Sequence, residues 1–259
     1  MGILNVTPDS FSDGGKYIAI DKAVERGIEM AKTGADIIDV GGESTRPGAE
    51  AISAEDEMLR VVPVIKALAE KTEAVLSVDT TKSSVAASAV EAGAHIINDV
   101  SAMTFDDNMV SVAADSGVGV VLMHMSGTPR TMQKNPYYEN VVEDIRTYLN
   151  EKCESVMSAG VDRKCIAIDP GIGFGKTLSH NVALLAQLNR IVSLKYPVLI
   201  GLSRKGFLGQ LTGQSVEARL SGSLAGLACS VMNGAHVMRV HDVEESRDAI
   251  KVVSAIRDG

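Results

Sequence analysis

One segment pattern recurs along the chain and limits the folds open to it. A helical stretch ends in glycine, a short apolar strand follows, and a polar residue stands five positions after the glycine. Three copies share this spacing: Gly34-Ala-Asp-Ile-Ile-Asp39, Gly93-Ala-His-Ile-Ile-Asn98 and Gly234-Ala-His-Val-Met-Arg239. Glycine at a helix end can adopt a left-handed conformation that other residues resist. The pattern therefore predicts units in which a helix leads directly into a strand.

Apolar runs with strand character occur eight times, and helical periodicity fills the intervals between them. The runs cover residues 2–6, 36–40, 75–79, 95–99, 118–123, 165–169, 197–202 and 236–240. They are continuously apolar, which is typical of parallel strands buried on both faces. Eight such units without a break in composition predict an α/β fold, a single-domain (β/α)8 TIM barrel over residues 1–259. An open doubly wound sheet is the alternative.

Two helix starts can be read directly from short polar residues. Ser53 and Asp242 each stand three residues before an acid, at Asp56 and Glu245. This spacing is typical of a helix N-cap. It predicts helices that begin immediately after Ser53 and Asp242.

The longest connections leave the carboxyl ends of strands, at residues 7–20, 41–54 and 125–138. In a barrel of this type the active site is built at that end. The polar residues expected to meet there are Asn5, Asp39, Asp79, Asn98, His124, Asp169, Ser203, Lys205, Arg239 and His241. A single aspartate at a strand end is most often a helix cap or turn former, and Asp39 is assigned to that class.

The polar set divides by chemistry into two groups and a single amide. Carboxylate and amide groups able to receive the N–H groups of an aminopyrimidine-type heterocycle are Asp79, Asn98 and Asp169. Donors suited to an anion are Arg46, Lys205, Arg239 and His241. Asn5 offers a hard oxygen, which suits a Mg²⁺ ion shared with a phosphorylated substrate.

Charge and composition exclude several other functions. Lys and Arg total 25 and Asp and Glu total 33, which gives a net charge of −8. Binding to nucleic acid or an anionic membrane needs a basic surface, so neither partner is expected. No apolar run approaches the roughly 18 residues of a membrane span. Three cysteines without a CxxC spacing indicate reduced thiols in a cytoplasmic protein.

The sequence lacks a complete P-loop and a zinc-binding histidine pair. Residues 170–177 resemble a phosphate-binding P-loop, but Pro170 stands where the motif needs its first glycine. The five histidines include no HxH or HExxH pair, so a zinc-dependent hydrolase is unsupported.

Two long segments carry a family resemblance. Asn5-Val-Thr-Pro-Asp-Ser-Phe-Ser-Asp-Gly-Gly15 and Gly41-Gly-Glu-Ser-Thr-Arg-Pro-Gly48 resemble the signature segments of the dihydropteroate synthases. Shorter motifs follow in the order of that family at 77–80, 98–99, 169–171, 203–205 and 239–241. The resemblance implies a homodimeric barrel that condenses 6-hydroxymethyl-7,8-dihydropterin diphosphate with 4-aminobenzoate. The products are 7,8-dihydropteroate and diphosphate, and sulfonamides compete for the aminobenzoate site.

The same resemblance implies a role for each matching residue. The pterin would be held by Asp79, Asn98, Asp169 and Lys205. Mg²⁺ would be bound by Asn5, and diphosphate by Arg239 and His241. The aminobenzoate site would be shaped by Thr45, Arg46, Pro47, Phe174, Ser203 and Lys205. Catalytic roles fall to Asp79, Asp169 and Lys205. A pterin-binding methyltransferase barrel and a non-catalytic pterin-binding paralogue are the alternatives.

Overall fold

A computed structural model describes residues 1–6, 16–45 and 48–259 of the chain. Its parallel strands are β1 Gly2–Asn5, β2 Ile37–Gly41, β3 Val75–Asp79, β4 Ile96–Asp99, β5 Gly119–Met123, β6 Ile166–Asp169, β7 Leu199–Gly201 and β8 Val237–Arg239. The helices are α1 Lys16–Thr33, α2 Ala54–Ala69, α3 Ser83–Glu91, α4 Met109–Ser116, α5 Val141–Ser158, α6 Leu178–Ala186, α7 Leu188–Val192, α8 Gly206–Thr212, α9 Leu220–Met232 and α10 Val243–Asp258. One helix or two follow each strand, so the β-then-α order that the sequence pattern predicts is present.

The strands follow one another in chain order around a ring. Strands β1 to β6 form one parallel sheet, and β7 pairs with β8. A parallel bridge between Ile168 and Val198 joins β6 to the β7 side, and another between Gly2 and Val240 joins β8 to β1. The prediction of a (β/α)8 TIM barrel is confirmed, and the open doubly wound sheet is excluded.

Strand register brings several polar positions to the same rim. Asn5 pairs with Gly41, Gly41 with Asp79, and Asp79 with Asn98, across the first four strands. The carboxyl ends of these strands therefore lie side by side. Beneath them the strands are closely packed, and buried residues such as Ile38 and Leu76 fill the core.

The two predicted helix caps have different outcomes. Ser53 caps α2, and its hydroxyl accepts a hydrogen bond from the Asp56 backbone N–H at 3.0 Å. Asp242 stands at the N-cap position of α10, but its side chain makes no cap hydrogen bond. Its carboxylate instead accepts from the Arg204 guanidinium, with Nε at 3.0 Å. A charge-assisted pair with two donors is stronger than a cap contact, so the helix begins as predicted without the predicted cap.

In the described part of the chain, no helix combines the length and apolar character that crossing a membrane requires.

Candidate active site

The three polar residues of the repeated segment meet inside the barrel. Asp39 on β2 accepts hydrogen bonds from Asn98 Nδ2 on β4 at 3.0 Å and from Arg239 Nε on β8 at 2.6 Å. Its other oxygen accepts from Ser77 Oγ at 2.6 Å. Even-numbered strands contribute side chains to the same layer of a barrel interior. The repeat therefore places its polar position in one layer on three strands.

Asp39 is thus neither a helix cap nor a turn former, and that prediction is wrong. Its carboxyl group is fully buried, and a buried carboxylate needs donors around it to offset the loss of water. In the sequence Asp39 stands as a single acid at a strand end. Its position in the repeated segment could have identified its role. Asp39 stands five residues after Gly34, which is the spacing of Asn98 and Arg239 from their own glycines.

Arg239 joins two carboxylates at the mouth of the barrel. Its Nη2 donates to Asp79 Oδ2 at 2.7 Å, while its Nε binds Asp39. Burial alone would lower the pKa of Arg239, but the charges of Asp39 and Asp79 outweigh it and raise that pKa. Burial raises the pKa of Asp79 to about 7, a shift that Arg239 opposes and Asp39 increases. Asp79 therefore titrates near neutral pH beside a permanent cation.

A second acid and a lysine lie on the opposite side of the mouth. Asp169 ends β6, and its Oδ1 accepts from the Gly171 backbone N–H at 2.7 Å. Burial raises the pKa of Asp169, and the charge of Lys205 opposes that shift. Burial lowers the pKa of Lys205 to about 8, although Asp169 partly restores it. Lys205 Nζ lies 4.3 Å from the centre of the Phe174 ring and donates to the Ile172 carbonyl.

Ser203 and His241 form a hydrogen-bonded pair between the ends of β7 and β8. Ser203 Oγ lies 3.1 Å from His241 Nδ1 and accepts from the His241 backbone N–H at 3.3 Å. The contact links the segments that follow β7 and β8 at the carboxyl ends of these strands.

The other residues predicted for the site lie in the loop after β2 and at the end of β1. Thr45 lines a cavity of about 300 Å³ together with Asp79. Asn5 ends β1 with an exposed side chain, in register with Gly41. Arg46 and Pro47 lie outside the described residues.

His124 lies in an aromatic cluster after β5. Its ring packs edge-on against Tyr148, with the two ring centres 4.8 Å apart. Burial, and then the charge of Lys176, lower the pKa of His124 to about 3, so the imidazole is neutral at physiological pH. Lys176, which no sequence motif marks as part of the site, is buried. Its Nζ lies 3.0 Å from His124 Nδ1 and donates to the Phe174 carbonyl at 2.8 Å. Lys176 thereby fixes the backbone of the residue whose ring faces Lys205.

The glycines of the P-loop-like segment serve a tight turn against β5. Gly171 has φ of +69°, and a Cβ on it would lie 1.9 Å from the His124 carbonyl oxygen. Only glycine fits such a left-handed conformation and close approach. This turn brings Asp169 and Phe174 to the same side of the mouth.

The chain is similar in sequence and fold to known proteins over nearly its whole length. A family model described as pterin binding enzyme matches residues 1–241. The dihydropteroate synthase of Escherichia coli (strain K12) is 48% identical over 255 residues, which cover 98% of this chain and 90% of that protein. The chain belongs to the dihydropteroate synthase family.

Two solved dihydropteroate synthases have the same fold. The Yersinia pestis enzyme, solved in a complex with a sulfonamide drug, is 44% identical with a TM-score of 0.95, covering 100% of this chain and 94% of that chain. The Xanthomonas albilineans enzyme, solved with 4-aminobenzoic acid, is 46% identical with a TM-score of 0.93, covering 100% and 93%. Dihydropteroate synthases are transferases of folate biosynthesis, and this chain is an enzyme of that class. Membership of the family decides against the methyltransferase alternative.

Replacing Asp39 tests the buried layer. Asp39→Ala leaves the Arg239 guanidinium and the Asn98 amide without their shared acceptor. Breaking a buried charge pair on one side costs about 3–5 kcal/mol, and we expect a loss of that size in urea unfolding. Asp39→Asn should cost less, because its amide oxygen can still accept from Arg239. A free energy of unfolding for Asp39→Ala within about 1 kcal/mol of the wild type would contradict this account of the layer.

Proposed function

We propose that this chain condenses 6-hydroxymethyl-7,8-dihydropterin diphosphate with 4-aminobenzoate to give 7,8-dihydropteroate and diphosphate. One observation carries the proposal. Two buried carboxylates and a buried amide, those of Asp79, Asp169 and Asn98, share the barrel mouth with Lys205 and Arg239. This is a set of acceptors for a nitrogen heterocycle beside cations for a leaving anion.

The pterin ring would bind in the mouth through hydrogen bonds to its N–H groups. Asn98 Nδ2 donates a hydrogen bond to Asp39. The amide oxygen of Asn98 would then accept a hydrogen bond from the pterin ring. Asp79 and Asp169 accept the remaining donors and lie on either side of the mouth. Their negative charge favours a ring system that becomes positive during the reaction.

The chemical step is a substitution without an enzyme nucleophile. The C–O bond to diphosphate breaks, and its electron pair leaves with the diphosphate. The carbon becomes a cation conjugated with the electron-rich dihydropterin. The neutral aniline nitrogen of 4-aminobenzoate then forms the new C–N bond and afterwards loses a proton. In this chain, Asp79 and Asp169 stabilise the cation, while Arg239 and His241 bind the departing anion.

Mg²⁺ belongs to the proposal, with Asn5 as its protein ligand. Whether the rim suits a magnesium ion can be judged from the oxygens around Gly41. A Cβ on Gly41 would lie 3.8 Å from Asn5 Oδ1 and 3.7 Å from Asp79 Oδ2. The two oxygens are thus neighbours at the rim, and Asp79 Oδ2 also accepts from Arg239 Nη2 at 2.7 Å. Mg²⁺ usually keeps several waters and takes few protein ligands in addition to substrate phosphates. When bound, it would neutralise charge that develops on the leaving diphosphate.

The aminobenzoate would lie above the pterin, between the last strands and the loop after β2. Its binding is assigned to Thr45, Arg46, Pro47, Phe174, Ser203 and Lys205. Lys205 already stacks its ammonium on the Phe174 ring, a pairing of a flat apolar surface with a cation that suits an aromatic carboxylate. Sulfonamides would compete for this space.

Three broader assignments complete the proposal. The pterin-binding domain takes in the whole of residues 1–259, the chain forms a homodimer, and the enzyme works in the cytoplasm. The free thiols of Cys153, Cys165 and Cys229 support a reducing compartment. Light scattering on the purified full chain measures the dimer directly.

The function is tested by diphosphate release. Purified chain with Mg²⁺ and the pterin diphosphate should release diphosphate only when 4-aminobenzoate is added, with equal amounts of 7,8-dihydropteroate. Release that does not depend on 4-aminobenzoate would contradict the condensation. No release at all from folded protein would favour the non-catalytic paralogue.

Arg239→Ala tests the anion site. The variant removes a permanent cation from the mouth, so we expect diphosphate with Mg²⁺ to bind about 10–100-fold more weakly, the range for a lost charge-assisted hydrogen bond. Calorimetric titration measures the affinity. Arg257→Ala, on the exposed end of α10, is the control. Equal diphosphate affinity in Arg239→Ala and wild type would refute the assignment.

A further inference from the structure

A charged cluster beside the pterin pocket links three segments of the rim. Lys82 Nζ lies 2.5 Å from Glu57 Oε2 and also donates to Glu43 Oε2. Glu57 belongs to α2, Glu43 to the loop after β2, and Lys82 to the N-cap position of α3. One ammonium group therefore holds two carboxylates from separate parts of the chain. We call these three residues the Lys82 cluster.

Glu57 is the fixed member of the Lys82 cluster. Its side chain is 1% exposed, and within the described structure its Oε1 has no hydrogen-bond partner. A buried carboxylate without a cation is costly, so Lys82 is held against it. Burial alone would lower the pKa of Lys82, but the hydrogen bonds with Glu43 and Glu57 outweigh it and raise that pKa. Lys82 is therefore an ammonium ion at neutral pH.

The Lys82 cluster spans the two loops that begin at β2 and β3. Lys82 comes three residues after Asp79, and Glu43 comes two residues before Thr45. The cavity of about 300 Å³ that Asp79 and Thr45 share is also lined by all three residues of the cluster. A residue of the proposed pterin site and one of the proposed aminobenzoate site are thus joined through Lys82.

A hydrogen bond to the backbone supports the same loop. Arg60 Nη1, one turn further along α2, donates to the Gly42 carbonyl at 2.9 Å. The loop after β2 is therefore attached to α2 at two successive residues, Gly42 and Glu43. The second attachment depends entirely on Lys82, because two carboxylates repel each other without a cation between them.

We propose that Lys82 is a positioning residue for the condensation, because it holds Glu43 against Glu57 and so fixes Thr45 relative to Asp79. The inference rests on the proposed function, which gives Thr45 to the aminobenzoate and Asp79 to the pterin. Rates depend steeply on how two reactants are placed. Loss of the tether therefore weakens the use of 4-aminobenzoate and leaves pterin binding in the barrel mouth unchanged.

Glu43→Gln is the most selective test. It removes the charge of Glu43 but leaves the Lys82–Glu57 pair intact. We expect the KM for 4-aminobenzoate to rise about tenfold, and the KM for the pterin diphosphate to stay within about twofold. Glu50→Gln, an exposed residue of the same loop with the same change in net charge, is the matched control and should leave both values unchanged.

Lys82 itself is tested in a background that protects folding. Lys82→Met alone leaves Glu57 buried without a cation, so it is combined with Glu57→Gln. The double variant should reproduce the selective rise in the KM for 4-aminobenzoate. The single variant Lys82→Arg keeps a cation between the two carboxylates. Its KM values for 4-aminobenzoate and for the pterin diphosphate should therefore equal those of the wild type. A purely structural role would alter the two KM values together or neither of them.

A binding measurement makes the outcome independent of turnover. 4-Aminobenzoate is titrated by calorimetry into wild type and variants with 6-hydroxymethyl-7,8-dihydropterin, diphosphate and Mg²⁺ present. Weaker binding in Glu43→Gln and in the double variant, but not in Glu50→Gln, supports the role of Lys82. Unchanged affinity and KM in both variants overturns it. A wild type that binds 4-aminobenzoate but releases no diphosphate would contradict the proposed function and leave this comparison valid.

Discussion

Lys205→Ala should lower kcat/KM for the condensation by about 10²–10³-fold, the usual cost of removing one aligned charged donor from an active site. Lys205 Nζ lies 4.3 Å from the centre of the Phe174 ring, and its charge opposes the rise in the pKa of Asp169. Under the proposed function the substitution removes a cation assigned to the aminobenzoate, and it also removes the charge that opposes protonation of Asp169. Steady-state kinetics with both substrates measures the effect.

The barrel itself should survive this substitution. Burial lowers the pKa of Lys205 to about 8, which means that the folded protein disfavours its charged form. We therefore expect the free energy of unfolding to change by no more than about 1 kcal/mol. Lys22→Ala on the exposed face of α1 controls for loss of a lysine. Near-normal turnover of Lys205→Ala in folded protein would remove Lys205 from the active site.

Asp79→Asn should lower kcat by a comparable factor, about 10²–10³-fold, because it removes negative charge from beside the developing cation. The asparagine oxygen can still accept the hydrogen bond that Arg239 donates, so the geometry of the mouth is retained. Diphosphate affinity, measured by calorimetry, should change by less than about threefold. A variant that loses diphosphate affinity but keeps kcat would reverse the roles assigned to Asp79 and Arg239.

The same residue predicts a pH dependence of activity. The ionised form of Asp79 is the one that stabilises a cation, and burial raises its pKa to about 7. The profile of kcat/KM reports groups of the free enzyme, so kcat/KM for the pterin diphosphate should rise as pH increases through about 7. Asp79→Asn should lose this rise. A wild-type profile that is flat from pH 6 to about 8 would contradict the assignment.

Stability should move in the opposite direction with pH. Because the pKa of Asp79 is raised from 3.8 to about 7, the folded protein binds its proton more tightly than the unfolded chain does. The contribution of Asp79 to the free energy of unfolding is therefore largest below pH 3.8 and is lost as pH rises to about 7. Urea unfolding at several pH values should show this decline in the wild type, relative to Asp79→Asn.

The fold could be predicted because its signal is repeated. Every strand of the barrel falls on one of the eight apolar runs, and the glycine before β2, β4 and β8 marks each entry. Parallel strands that are buried on both faces need continuous apolar sequence. Such runs can therefore be recognised in the sequence without knowledge of the tertiary contacts. The carboxyl ends of the strands then locate the site.

The connections between side chains could not be predicted in the same way. Asp39 was misjudged because its three donors come from three other strands, and nothing in the local sequence displays them. Lys82, Glu57 and Lys176 look like ordinary solvent-facing charges in the sequence. Glu57 and Lys176 are buried and Lys82 is half-buried because of how the loops cross the rim, which depends on tertiary packing and not on local pattern.

The most direct measurement of the central claim is a crystal structure of the full chain with Mg²⁺, 6-hydroxymethyl-7,8-dihydropterin diphosphate and a non-reactive aminobenzoate analogue. The account predicts the pterin N–H groups on Asp79, Asn98 and Asp169, with the diphosphate toward Arg239 and His241. A pterin bound elsewhere, or a diphosphate turned away from Arg239, would contradict it.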